Sequence, residues 1–141
     1  MNIRNAIFKK DHENILAIAQ AHPDITRFRD RYIFSTDQAY ASGWIQVVET
    51  DYDEIVGFTC SRVLIRKPVT SLYFLCVAEK WRGKGLGTQL MDNLEKISNQ
   101  DWSCNSIRLK VTPTNTRAIE FFQKRGYAFE KDGKHMKKDI P

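Results

Sequence analysis

The residues whose types and spacing best suit chemistry lie in one glycine-rich segment, residues 82–88 (RGKGLGT). Glycine has no Cβ, so the backbone of such a segment can come close to a ligand. A helix is predicted to begin within the segment, because apolar residues recur at helical spacing from Leu86 onward. The first N–H groups of a helix have no partner inside it. Together with the side chains of Arg82 and Lys84, these donors predict a binding site for an anion such as phosphate.

Two familiar phosphate-binding motifs do not fit this segment. The dinucleotide fingerprint G-x-G-x-x-G would need its last glycine at Thr88. The Walker loop G-x-x-x-x-G-K-[ST] would need a Gly-Lys-Ser/Thr sequence that does not occur at that spacing. The pattern that remains is Arg82-x-x-Gly85-x-Gly87, preceded by residues 77–79 (VAE).

The elements around the segment must place it between a strand and a helix. Residues 72–77 (LYFLCV) form an uninterrupted apolar run, which is typical of a strand buried on both faces. The helix that follows carries an apolar stripe from Leu86 to Ile97. The sequence therefore predicts a strand, a glycine-rich turn and a helix in succession.

The rest of the chain is predicted to form short strands and helices. The strands lie at 2–8, 44–49, 55–65, 106–111, 127–130 and from His135 onward, and the helices at 13–21, 24–42 (as one helix or two) and 116–125. Asp11 is the predicted N-cap of the first helix, Gly57 indicates a β-bulge, and Gly126 is the predicted C-cap of the last helix. Short turns join the second, third and central strands into an antiparallel meander. The length indicates one domain, residues 1–141.

Two segments resemble the GNAT N-acetyltransferases. Residues 82–87 resemble the acetyl-CoA signature [QR]-x-x-G-x-[GA] of that family, and residues 115–127 (NTRAIEFFQKRGY) resemble its segment N-x-x-A-x-x-h-Y-x-x-x-G-[FY]. The resemblance covers nearly the whole chain in element order, with the specific matches in residues 72–130. It implies an α/β fold with a mixed, mostly antiparallel central sheet of about seven strands flanked by about four helices. The sheet would splay between the central strand (about 70–77) and the next one (about 106–111).

The resemblance also implies acetyl-CoA as co-substrate. The loop amides would hold the CoA pyrophosphate, and the central strand would pair with the pantetheine arm. The residues expected to bind acetyl-CoA are Leu75, Cys76, Val77, Arg82, Gly83, Lys84, Gly85, Leu86, Gly87, Thr88, Asn115 and Phe122. Asn115 is also a favoured helix N-cap residue, and it can fill both roles.

The implied reaction is direct transfer of an acetyl group to a primary amine of a small molecule or protein. A backbone N–H near Val77 would polarise the thioester carbonyl. Phe122 occupies the position where the family often has a tyrosine that protonates the departing sulfur, and residues 70–71 (TS) stand where some relatives have a glutamate. The catalytic side chains are therefore unknown, with Glu49, Glu54 and Glu79 as candidates that no geometry supports.

Two other function classes remain open beside the enzyme. The first is a non-catalytic acyl-CoA-binding regulatory module of the same fold, which the missing catalytic side chains keep in view. The second is a nucleic-acid-binding protein, which rests on the isoelectric point of 9.2. The net charge of +5 lies wholly in residues 79–141, where it would also attract a phosphorylated cofactor. Basic runs no longer than two, and no aromatic–basic interleaving, disfavour nucleic acid.

The sequence gives broad expectations about the location of the protein and about its acceptor. It contains no run of 18 apolar residues, so no membrane span is predicted, and the N-terminus lacks a signal-peptide core. Three cysteines without metal spacing indicate reduced thiols in the cytoplasm and no metal. The resemblance places the acceptor site around residues 22–43, which contain Asp24, Arg27, Arg29, Asp30 and Arg31. Polyamine, amino acid, aminoglycoside and protein N-terminus remain open as acceptors, as does a homodimer.

Overall fold

The computed structural model describes residues 1–22, 37–64 and 66–141. The strands are β1 (Asn2–Asn5), β2 (Ile45–Glu49), β3 (Ile55–Val63), β4 (Val69–Val77), β5 (Ser106–Lys110), β6 (Ala128–Phe129) and β7 (His135–Asp139). The helices in the described residues are α1 (Phe8–Ala21), α2 (Asp37–Ala41), α3 (Leu86–Gln100) and α4 (Thr116–Lys124), with a 3₁₀ turn at Glu79–Trp81. No helix among them combines the length and apolar character that a membrane crossing requires.

The seven strands form one sheet in the order β1-β2-β3-β4-β5-β7-β6. β4 and β5 run parallel, whereas the pairs β1–β2, β2–β3, β5–β7 and β6–β7 are antiparallel. The predicted mixed, mostly antiparallel sheet with flanking helices is thus confirmed. The register between β4 and β5 ends at Leu72 and Leu109, while β4 continues to Val77. This is the pair of strands at which the splay was predicted.

The start of the first helix differs from the prediction. α1 begins at Phe8, with Ile7 at its N-cap, so the assignment of Asp11 as the N-cap is wrong. Asp11 is instead fully buried in the first turn, where its carboxylate accepts hydrogen bonds from the Ile7 N–H and from Arg4. A tertiary partner on β1 therefore determines the role of Asp11. Of the predicted helix at 24–42, residues 24–36 lie outside the described part of the chain.

The predicted bulge in β3 is present. The register between β2 and β3 shifts between Val48 and Glu49, which leaves Val56 as the extra residue beside Gly57. A Cβ at Gly57 would lie 3.0 Å from the carbonyl oxygen of Cys76, a tight contact that would require the neighbouring strand to shift. Glycine at this position thus permits the close approach of β3 and β4.

The central strand is less buried than its composition predicts. Leu72 and Cys76 are buried, but Tyr73 is 43% exposed, and Leu75 and Val77 are only half-buried. The prediction of burial on both faces is therefore wrong for this strand. An apolar run records a tendency to be buried, whereas the neighbouring elements decide which of its residues are covered. The exposure begins directly after the last residue in register with β5.

The chain comprises two compact units, of which the first contains Met1–Ser61 and Phe74–Leu94. One of its core clusters joins α1 and α2 to the sheet through residues that include Ile15, Ala39 and Phe58. A second cluster joins α3 to the same strands through Val48, Val56, Leu86 and Leu90. Because successive strand residues face opposite sides, the two clusters lie on opposite faces of β2 and β3.

The second unit contains Arg62–Tyr73 and Glu95–Pro141. Ile107 and Leu109 of β5 and Met136 of β7 are buried in this unit. Glu95 accepts hydrogen bonds from Arg125 and Lys138 and so ties α3 to the end of α4 and to β7. One domain for residues 1–141 stays a prediction.

Candidate functional site

The glycine-rich segment is open at the start of α3. Gly83 and Gly85 have φ of +76° and +81°, in the left-handed region that favours glycine, and no described atom beyond the adjoining residues lies within 4 Å of a Cβ built on either. The first helical hydrogen bond runs from the Gln89 N–H to the Gly85 carbonyl, at 3.1 Å. The three N–H groups before Gln89 therefore have no acceptor within the helix. This geometry suits an accessible anion site, and the binding of an anion here stays a prediction.

The end of β4 presents one side of its backbone away from β3. The Ala78 N–H donates to the carbonyl of Val56, in the β3 bulge, at 2.8 Å. Since the peptide groups of successive strand residues point to opposite edges, those of Val77 and Leu75 point away from β3. The Val77 carbonyl accepts a hydrogen bond from Nε of Arg82 at 3.1 Å. The Val77 N–H thus lies on the edge where a carbonyl polariser was predicted.

The two cations of the loop are held differently. Arg82 is tied to the Val77 carbonyl, whereas Nζ of Lys84 lies 5.5 Å from the centre of the Trp81 ring. Both side chains are exposed. The loop therefore has two accessible positive charges beside the N–H groups of α3.

A cavity of about 570 Å³ lies in the first unit, next to this loop. Its walls come from α1, from the β2–β3 turn and from the end of β4: Asn14, Ala17, Ile18, Ala21, Tyr52, Asp53, Glu54, Ile55, Val77, Ala78, Glu79 and Arg82. Three carboxylates and one arginine make this lining acidic on balance. The contribution of α1 to this cavity was not predicted from the sequence. The available signal was the spacing of Asn14, Ala17 and Ala21, which places short side chains on one helix face.

The candidate carboxylates fall into two groups. Glu49 is buried and accepts hydrogen bonds from Arg4 and Asn2, which hold its pKa below the ordinary value. That arrangement makes Glu49 a structural ion-pair partner and a poor proton acceptor. Glu54 and Glu79 are exposed and line the cavity. The predicted acceptor residues Asp24 to Arg31 lie outside the described part of the chain.

In the second unit, Asn115 caps α4. Its side-chain oxygen accepts from the Ala118 N–H at 3.2 Å, so the N-cap role is confirmed. Phe122 is 7% exposed and packs edge-on against the rings of Phe121 and Tyr127, with centroid distances of 5.1 and 5.4 Å. Phe122 is therefore a well-packed core residue of this unit.

The tyrosine nearest in sequence to Phe122, Tyr127, is buried and hydrogen-bonded. Its hydroxyl donates to Glu95 at 3.5 Å. Burial and the negative charge of Glu95 raise the Tyr127 pKa well above its ordinary value. Tyr127 consequently stays a neutral phenol at physiological pH.

Known proteins are similar to this chain in sequence and in fold. The family model described as Acetyltransferase (GNAT) family matches residues 7–127. A 5-NmdU N-acetyltransferase of Pseudomonas phage PaMx11 is 33% identical over 125 residues, which span 89% of this chain and 85% of that protein.

Two solved structures extend the likeness over nearly the whole chain. Ard1 from Thermoplasma volcanium has a TM-score of 0.81 at 23% identity, covering 99% of this chain and 97% of its own. The PaiA N-acetyltransferase from Thermoplasma acidophilum, in complex with coenzyme A, has a TM-score of 0.77 at 17% identity, covering 99% and 98%. Since the family model spans most of the sequence, this chain belongs to the GNAT family of acetyltransferases and is an acetyl-CoA-dependent N-acetyltransferase.

Proposed function

We propose that this enzyme binds acetyl-CoA on residues 82–88 and along the exposed edge of β4, and that its amine acceptor enters through the acidic cavity. The observation that carries the proposal is the open loop at the start of α3. Two left-handed glycines there leave space for a phosphate beside unsatisfied helical N–H groups and two cations. The proposed contacts are Leu75, Cys76, Val77, Arg82, Gly83, Lys84, Gly85, Leu86, Gly87 and Thr88, with Asn115 and Phe122 as further candidates.

Val77 is the proposed carbonyl polariser. Its N–H points away from β3, and the bound thioester would supply the carbonyl that it activates. A fixed backbone donor stabilises negative charge on that oxygen without reorganising during the reaction. Positioning of the amine and the thioester then supplies most of the remaining rate enhancement.

The acceptor is proposed to be a primary amine that arrives as an ammonium ion. Asp53, Glu54 and Glu79 line the cavity and would attract it. The amine must lose a proton before it attacks, and Glu54 and Glu79 are proposed to receive this proton directly or through water. The first acceptor to test is 5-NmdU, because the phage relative is named for it.

No side-chain acid is proposed for the leaving thiol. Phe122 has no proton to donate, and Tyr127 is hydrogen-bonded to Glu95. A thiol has an ordinary pKa of about 8.5, so a thiolate can leave without prior protonation. The enzyme is therefore expected to work faster at mildly alkaline pH.

A cytoplasmic location is also proposed. Cys60, Cys76 and Cys104 are buried, and no disulfide joins them. Cysteines without disulfides are typical of a reducing compartment. Burial raises the pKa of Cys60 to about 12, so this thiol is a core group and not a nucleophile.

The test of the cofactor site compares two glycines of equal geometry. Gly85 in the loop and Gly133 in the β6–β7 turn both have left-handed φ and open surroundings, so a glutamine imposes similar backbone strain at either. Acetyl-CoA at a hundred times its Kd should raise the unfolding free energy of the wild type and of Gly133→Gln by about 2.7 kcal/mol. Gly85→Gln should fold but lose this stabilisation, because its side chain stands where the phosphate must approach. Normal stabilisation of Gly85→Gln would show that acetyl-CoA binds elsewhere.

A second readout separates the enzyme from a binding module. Release of free CoA thiol is followed with 5-NmdU and a panel of other amines. Thiol release above the background hydrolysis supports transfer. Binding of acetyl-CoA without release on any amine would favour the regulatory module.

A further inference from the structure

Trp81 lies directly before the glycine-rich loop, and both its backbone and its side chain are held in place. Its backbone N–H donates to the Ala78 carbonyl at 2.8 Å. Its indole packs against a buried cluster that includes Val56, Leu86 and Leu90. The ring is therefore fixed by the core that also fixes the start of α3.

Lys84 has no comparable backbone support. It is exposed and lies between Gly83 and Gly85, the two residues of the loop with left-handed φ. Its side chain has four rotatable carbons, so an unanchored ammonium would sample many positions. Nζ lies 5.5 Å from the centre of the Trp81 ring, within the range in which the ring face attracts a cation.

The other charges of this segment do not replace that contact. Arg82 is bonded to the Val77 carbonyl, and Glu79 and Lys80 are exposed in the 3₁₀ turn. Among the described residues, Lys84 is thus a cation that contacts an aromatic ring and no carboxylate. This difference matters for binding an anion, because an ion pair would already neutralise the ammonium whereas a ring leaves its full charge available.

We propose that Trp81 is a positioning residue that holds the ammonium of Lys84 at the loop for a phosphate group of CoA. The inference rests on the proposed function, in which residues 82–88 bind acetyl-CoA. Trp81 contributes through Lys84 and needs no contact of its own with the ligand. The consequence is that the effects of the two residues on affinity are coupled.

The experiment is a double-mutant cycle on acetyl-CoA affinity, measured by calorimetry at low salt and again at about 0.5 M salt. Lys84→Met keeps an apolar stem over the ring and should weaken binding about tenfold at low salt. Trp81→Leu keeps an apolar side chain against the core but removes the ring face, and should weaken binding about two- to fivefold. Trp81→Phe keeps an aromatic face and should retain most of the affinity. In the Lys84→Met background, Trp81→Leu should have little further effect, and the losses should shrink at high salt.

The failures of this inference and of the proposed function are distinguishable. If wild type binds acetyl-CoA and Trp81→Leu has an equal effect with and without Lys84, Trp81 is a structural support and the positioning role is overturned. An unchanged affinity of folded Trp81→Leu overturns it as well. If Trp81→Leu does not fold, a Trp81→Phe variant as weak as Lys84→Met at low salt would count against the ring contact. Absence of acetyl-CoA binding by wild type would overturn the proposed function itself.

Discussion

Each of the two compact units contains an arginine that contacts one aspartate and one glutamate, and the two trios differ in their exposure to water. In the first unit, Arg4 lies 2.7 Å from Asp11 and 3.0 Å from Glu49, and the three side chains are 19%, 1% and 11% exposed. In the second unit, Arg108 lies 2.8 Å from Glu130 and 4.0 Å from Asp132, and the exposures are 39%, 31% and 40%. The residue types are the same, so the two trios differ in burial and in how closely the arginine contacts the aspartate.

Burial decides how much each trio contributes to the stability of the fold. A carboxylate in the core needs a partner, because desolvation of its charge is costly. Burial alone would raise the pKa of Asp11, but hydrogen bonds from Arg4 and from the Ile7 N–H outweigh it and lower the pKa. Water can replace the arginine at an exposed carboxylate, so the second trio should contribute little.

The buried trio also bears on the proposed acceptor site. It joins β1, α1 and β2 through Arg4, Asp11 and Glu49. α1 and the turn after β2 both line the acidic cavity. The trio is therefore expected to hold two walls of that cavity in place.

The largest effect is expected from Arg4→Met. The change leaves the carboxylate of Asp11 buried with only the Ile7 N–H as a donor and frees Glu49 from its main partner. Losing one member of a buried ion pair should lower the unfolding free energy at pH 7 by about 3 kcal/mol. Urea unfolding of both proteins measures this. A loss below about 1 kcal/mol would place Arg4 with exposed ion pairs and remove the contrast between the trios.

The same trio shows where the sequence could not predict the structure. Asp11 was a reasonable N-cap from local sequence, since aspartate favours that position. Its actual role depends on Arg4 and Glu49, which lie 7 and 38 residues away in the chain. The helix start therefore follows from tertiary contacts that no local pattern records.

The loop and its flanking elements were predictable for the opposite reason. The glycine spacing, the apolar run before it and the helical period after it are local signals, and the structure has β4, an open turn and α3 in that order. The contacts of Lys84 with Trp81 and of Arg82 with Val77 were not predicted, because side-chain direction within a turn depends on its φ and ψ angles. The cavity was missed because it requires α1, the β2–β3 turn and β4 to be placed together.

A second prediction sharpens the contrast through pH. In the folded protein, the pKa values of Asp11 and Glu49 lie below their ordinary values of 3.8 and 4.5. This difference stabilises the fold when the pH is above those ordinary values. The stabilisation is lost as the pH falls through the pKa values of the folded protein. In Arg4→Met, the buried Asp11 should have a raised pKa. Acidification then protonates its carboxylate and removes the cost of keeping a charge buried. The difference in unfolding free energy between wild type and variant should therefore be largest near pH 7 and narrow below about pH 4.5.

Urea titrations at pH 7, 5 and 4 would follow this difference, with the slopes checked for two-state unfolding. Arg4→Lys is the matched control, because it keeps a positive charge. Its unfolding free energy should differ less from that of the wild type than the value for Arg4→Met does, at every pH. A gap for Arg4→Met that stays constant with pH would mean that the arginine acts through packing and not through its charge.

The smallest effect is expected from Arg108→Met. The β6–β7 turn does not depend on this arginine, since the Asp132 carboxylate accepts from the N–H groups of Lys134 and His135 at 2.8 and 2.9 Å. Those two hydrogen bonds are the main cause of the lowered pKa of Asp132, and they remain in the variant.

The loss on Arg108→Met should therefore come from Glu130 alone and stay below about 1 kcal/mol. It should also fade as salt is raised to about 0.5 M, because screening weakens exposed pairs far more than buried ones. Thermal unfolding of wild type, Arg108→Met and Arg4→Met at low and high salt compares the losses of stability of the two variants. If Arg108→Met destabilised the protein as much as Arg4→Met, and equally at both salt concentrations, exposure would not be what separates the two trios. The packing of the planar guanidinium against its strand neighbours would then have to account for the effect, and Arg108→Lys, which keeps the charge but lacks the planar group, would be as unstable as Arg108→Met.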